Sequence, residues 1–185
     1  MAFESKNNKV IFIHLMKTGG TFVRTLYPDF QEISPVHASA KATKDLVSDE
    51  KWKDSFKFGF VRHPYDTMVS LYRYLKDHPE HGDHKMSELN FHQFLLNFEK
   101  FKLNKGFYST HTKMLYHNDM CLVDKVFKQE EMEDAVAYLH KNHGALSSTN
   151  KINVSTKTQA PLTEKNKEII YRMFKEDFET FGYLP

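Results

Sequence analysis

Lys17, Thr18, Gly19, Gly20 and Thr21 follow directly on an apolar run, Val10 to Ile13, and directly precede a helical pattern that starts at Phe22. A strand, a glycine-bearing turn and a helix N-terminus together make an anion cradle. The glycines let the backbone come close, the first helical N–H groups point at the ligand, and lysine adds a full positive charge. The order of residues differs from the nucleoside triphosphatase loop, Gly-x-x-x-x-Gly-Lys-Ser/Thr, in which lysine comes after the glycines. With Lys17 first, the loop is expected to hold a different phosphorylated donor. A second strand pattern, Phe56 to Val61, ends in Arg62 and is stopped by Pro64. Asp66 is the expected N-cap of a helix with Met68, Val69, Leu71, Tyr72 and Leu75 on one face. Arg62 then stands at the carboxyl end of a strand, where open α/β sheets bind ligands. Ser70, up to two turns into the helix, is placed to share an anion with it. An arginine fork plus a hydroxyl suits a second phosphate.

Lys17-Thr18-Gly19-Gly20-Thr21 resembles the 5′-phosphosulfate loop of sulfotransferases, and Arg62-His63-Pro64-Tyr65-Asp66 with Ser70 resembles their 3′-phosphate motif. The wording is closer to the carbohydrate sulfotransferases, including the heparan 2-O type and small bacterial relatives, than to the cytosolic aryl and steroid enzymes. Trp52 to Phe60, Gln129 to Met132 and Asp177 to Tyr183 extend the likeness over most of the chain. The resemblance implies 3′-phosphoadenosine 5′-phosphosulfate (PAPS) as co-substrate, no metal, and an acceptor hydroxyl expected on a carbohydrate. It gives Lys17 to the leaving phosphate oxygen, Thr18 to Thr21 to the 5′-phosphate, and Arg62 with Ser70 to the 3′-phosphate. His63 stands where many members have asparagine.

Transfer to a hydroxyl needs a base for its proton, and histidine is the natural choice near neutral pH. Of 11 histidines, His37 is the expected base. It opens His37-Ala38-Ser39-Ala40 before a helix and resembles the histidine of a similar segment in bacterial relatives. His14, on the strand leading into the donor loop, is the alternative, with orienting or packing beneath that loop as its other reading. In the family a late loop closes over the nucleotide, and Asn153, Ser155, Thr156 and Lys157 resemble it, with Asn153 and Lys157 as donor contacts. His78, His81 and His84 form a spaced string, but Pro79, Gly82 and the flanking charges read as an exposed loop and match no zinc pattern.

These residues need elements to position them. The pattern gives strands at 9–13, 56–61 and 123–127. Helices are read near 20–27, 38–48, 65–76, 88–99, 108–117, 130–141 and 163–179, the last opening at a Thr163-Glu164 cap. The alternation predicts a P-loop-like α/β three-layer sandwich, a small parallel sheet flanked by helices. At 185 residues one domain, 1–185, is expected. A net charge of +2 is too mild to argue for nucleic acid. No apolar run suggests a membrane partner, and a single cysteine, Cys121, rules out internal disulfides and fits a reducing compartment. The chain begins close to its first strand without a leader-like segment, so a soluble, cytoplasmic enzyme is expected rather than an excised domain. The chain is short for the family, which leaves open a small acceptor, an open cleft for a polymer, or a homodimer partner completing the site. Two other readings remain: a magnesium-dependent small-molecule phosphotransferase, or a nucleotide-binding module without turnover. For the first, no aspartate ends a clear apolar strand, and Asp124 interrupts one instead.

Overall fold

The computed structural model describes residues 1–35, 38–81, 88–105, 109–147 and 159–185. The chain separates into two compact units that alternate along the sequence, Met1–Arg62 with His111–Ile152, and His63–Thr110 with Asn153–Pro185.

The first unit is α/β. Its sheet has the order β3-β1-β2-β4-β7, with β1 Ala2–Ser5, β2 Val10–Ile13, β3 Gln31–Glu32, β4 Phe56–Val61 and β7 Lys125–Lys128. β2, β4 and β7 are parallel, with Ile13 opposite Gly59 and Val61 opposite Lys128. These are the three expected strands. β1 and β3 extend them as an antiparallel edge, unforeseen because four residues and two residues carry too little periodicity to register.

The period of two divides the sheet into two faces. Val10, Phe12, Phe58, Phe60 and Phe127 pack with Phe22, Val23 and Leu26 from helix α1 (Gly20–Thr25) and its C-cap, and with Ala135, Val136 and Leu139 of a later helix, Met132–His143. On the other face Gly59 makes room for Leu115. A Cβ there would stand 2.9 Å from a Leu115 methyl. The expected helix over 108–117 stops at Leu115, because Asn118 and Asp119 take φ of 48° and 61° and turn the chain into a hairpin, β5 Tyr116–His117 with β6 Met120–Cys121. Helices α2 (Ala40–Leu46) and α3 (Asp49–Asp54) start at Ser39 and Ser48, whose hydroxyls accept the N–H groups of Ala42 and Lys51.

The second unit is helical in its described residues. Helix α4 (Pro64–Asp77) packs on the long helix Glu164–Phe181, as does the helix Phe91–Lys105. The latter's apolar face, Phe91, Phe94, Leu95 and Phe98, is fully buried. Buried Asn166 ties this unit by meeting His92 Nδ1 at 2.7 Å and donating to the Pro161 carbonyl at 2.7 Å. Thr163 caps the long helix as expected, accepting from the Asn166 N–H. For α4 the expected cap is corrected. Pro64 occupies the first helical turn, so the cap falls to His63, and Asp66 is an exposed first-turn residue. Among the described residues no helix is long and apolar enough to cross a membrane.

Candidate functional site

β2 and β4 run parallel, so the segments leaving them emerge at one end of the sheet. After β2 the chain makes a tight turn in which Lys17 and Gly19 both adopt left-handed conformations, φ 62° and 80°. Glycine takes this conformation without penalty, and lysine takes it at some cost, a feature found where a loop is shaped for use. The buried Thr18 hydroxyl donates to the Leu15 carbonyl at 2.9 Å and so is engaged within the turn.

The Gly19 carbonyl accepts from the N–H groups of Phe22 and Val23, at 2.9 and 3.2 Å. The Gly20 and Thr21 N–H groups lie ahead of these first helical bonds. Gly19 supplies no side-chain cap, and no acidic residue stands in the first turn of α1. Thr21 in this first turn is exposed. After β4, half-buried Arg62 turns its guanidinium to the same loop and donates to the Lys17 carbonyl at 3.3 Å. Lys17 through Thr21 and Arg62 are therefore brought together in one unit. The donors they present, backbone N–H groups, an ammonium and a guanidinium, are those a phosphorylated ligand needs.

Two sets of contacts surround the loop; the packing of His14 beneath it follows one of the two readings of that residue, and the contacts of Met132 and Gln129 were missed in the sequence. His14 lies against α1 where Gly20 leaves room. A Cβ on Gly20 would fall 2.0 Å from the imidazole Nε2. The same ring stacks on Phe12 at 5.5 Å and meets Phe3 at 6.1 Å. His14 is thus packed beneath the loop. On the other side, Met132 and Gln129 come within 3.1 and 3.7 Å of where a Gly19 Cβ would stand. Two successive glycines in one turn were the available signal that neighbours crowd it from two directions.

Asp124 lies at the opposite end of the sheet. It accepts from the Lys57 N–H at 2.7 Å and pairs with the Lys57 ammonium at 3.0 Å, near the start of β4. It holds β7 in register and cannot serve a metal at the loop. Among the described residues no group of three or more histidines, cysteines or acidic residues could hold a metal ion. His78 contacts Glu80 at 3.2 Å, and His84 lies outside the described residues.

Ser70 belongs to the second unit, buried in α4. His63, in the same unit, is held by its surroundings. Its Nδ1 accepts the Tyr65 N–H at 3.3 Å, its Nε2 meets the Leu184 carbonyl at 3.1 Å, and its ring packs edge-on against Phe178 at 5.4 Å. These two bonds fix the Nε2–H tautomer. Burial also raises the Tyr65 phenol above its ordinary value. His37, Asn153 and Lys157, with Ser155 and Thr156, lie outside the described residues.

Residues 2–184 match the model described as the sulfotransferase family, which is nearly the whole chain. This chain belongs to the sulfotransferase family. Sulfuryl transfer is therefore its class of reaction. Comparison with curated proteins and with solved structures gave no match.

Proposed function

We propose that this sulfotransferase moves the sulfuryl group of PAPS to an acceptor hydroxyl, with a carbohydrate as the acceptor class. The observation that carries the donor reading is the Lys17–Thr21 turn, uncapped by any side chain and tied to Arg62 through the Lys17 carbonyl. Such a turn fits a phosphosulfate by its donors and by a first helical turn that carries no acidic residue. The donor supplies an activated sulfuryl group on a phosphate leaving group. The N–H groups of the loop hold the 5′-phosphate, and the Lys17 ammonium offsets charge gathering on the leaving oxygen. Arg62 and Ser70 are assigned to the 3′-phosphate. His37 takes the proton of the acceptor hydroxyl, and Asn153 and Lys157 complete the donor contacts. Holding donor and acceptor in line supplies most of the acceleration. A second copy of the chain completing the acceptor site belongs to the same reading, as does work in the cytoplasm.

The test is calorimetric titration with 3′-phosphoadenosine 5′-phosphate (PAP), with and without magnesium, beside ATP–magnesium. Binding independent of metal and weakened in Arg62→Ala is expected. A preference for ATP with magnesium would move the chain to phosphoryl transfer. Tight PAP binding with no transfer to any of a panel of sugars would leave a binding module.

A further inference from the structure

We infer that Thr67 is a further binding residue for the donor's 3′-phosphate. This rests on the donor reading above. Thr67 and Ser70 stand three residues apart in α4, so their side chains share a helix face. Both are buried, Thr67 with 4% of its surface exposed. The Thr67 hydroxyl is closed off from solvent and has no hydrogen-bond partner among the described residues. A helical threonine normally turns its hydroxyl to the carbonyl four residues back. That carbonyl, on His63, accepts the Thr67 N–H at 2.9 Å and not the hydroxyl.

A buried hydroxyl left unpaired destabilises the fold, whereas valine at the same place would keep the shape and remove the defect. Beside a ligand site such a group has a use, because stability is given up at sites that serve a ligand. The neighbour on this face is the serine assigned to the 3′-phosphate. A phosphate oxygen, charged and acceptor-only, is the partner the hydroxyl lacks. Thr67 lies one turn nearer the start of α4 than Ser70. The geometry of α4 thus offers the phosphate two hydroxyls.

Thr67→Val and Thr67→Ser separate this role from packing. Melting temperature is measured without ligand, and affinity is measured for PAP and for adenosine 5′-phosphosulfate, which lacks the 3′-phosphate. Thr67→Val should melt higher, by about 2–4 °C. It should bind PAP roughly ten- to a hundredfold more weakly. It should leave adenosine 5′-phosphosulfate unchanged, and Thr67→Ser should keep most of the PAP affinity. If Thr67→Val melts higher and binds PAP like wild type, the hydroxyl is a packing defect and the inference falls. Equal weakening for both ligands overturns it too. Wild type that binds neither nucleotide overturns the donor reading itself, and this inference with it.

Discussion

Gly20 is the residue with the least room to change. Its missing Cβ is replaced by the His14 ring, which is itself held by Phe12 and Phe3. Gly20→Ala must push that ring out of its stack or shift the start of α1. Overpacking of this kind costs about 1–3 kcal/mol. Denaturant unfolding should register that loss, and PAP affinity should fall with it. His14→Ala in the same chain should recover most of the stability by vacating the space. A double mutant no better than Gly20→Ala would mean that the ring is not the obstacle. Tyr27 offers the opposite case. Its buried phenol has no partner among the described residues, and burial, helped by the charge of Asp29, raises its pKa far above the ordinary value. Tyr27→Phe should be neutral or stabilising by roughly 1 kcal/mol in the same assay. A clear loss would reveal a partner for the hydroxyl.

Among the elements, the long helix Glu164–Phe181 depends on its first turn. Thr163 caps it and Asn166 ties it to its neighbours. Thr163→Ala should cost about 1 kcal/mol in urea unfolding, and Thr163→Ser should restore it. At the start of β4, the Phe56 ring stacks on His143 with centroids 3.6 Å apart. Burial lowers the His143 pKa below its ordinary 6.5, against a smaller opposing pull from Asp124. The unfolded chain therefore takes up this proton first as pH falls. The stability that neutral His143 contributes is full above 6.5 and is lost on descending toward the lowered folded value. His143→Phe keeps a ring on Phe56 and should flatten the fall in unfolding midpoint as the pH descends below 6.5. An unchanged slope would place the proton uptake elsewhere.

The elements also mark where sequence reasoning works. β2, β4 and β7 were legible because they are apolar runs bounded by turns, and the Lys17–Thr21 turn was legible because it sits at such a boundary. β1 was hidden in four residues, Ala2 to Ser5, that become a strand only by pairing with β2. The hairpin at Tyr116–Cys121 had a usable sign in Asn118-Asp119, a pair that tolerates positive φ. The cap of α4 went to His63 because proline favours the first helical position, which outranks the preference of aspartate for the cap. Within the site, the approach of Arg62 to the Lys17 carbonyl follows from the parallel strand ends. Packing of His14 beneath the loop was one of the readings its place on the strand allowed, whereas the contact of Met132 with Gly19 depends on a side-chain direction that no spacing reveals.

For the whole molecule, the mild charge of +2 means that affinity for an anionic ligand such as the proposed donor must come from a few converging groups rather than from a general field. Ligand binding should then appear as a global gain in stability. PAP at about a hundred times its dissociation constant adds about 2.7 kcal/mol. For a chain of this size that raises the melting temperature by roughly 5–10 °C. Thermal scans with and without PAP, in the absence of magnesium, check this, and Lys17→Ala should shrink the shift. An equal shift from sulfate alone would mean that the nucleotide adds nothing.

The order in which the strands join has a consequence for synthesis. β7 lies beside β4 in the sheet, yet Lys57 and Asp124 are 67 positions apart along the chain. A growing polypeptide will have made β1, β2 and β4 long before β7 leaves the ribosome. During that interval β4, with Phe56, Phe58 and Phe60, presents an unpaired apolar margin to whatever it meets. Chains cut before Lys125 are expected to aggregate, and only those that also carry the Glu164–Phe181 helix, on which Pro64–Asp77 and Phe91–Lys105 pack, to stay dispersed, so the yield of folded protein is governed by a race between elongation and self-association.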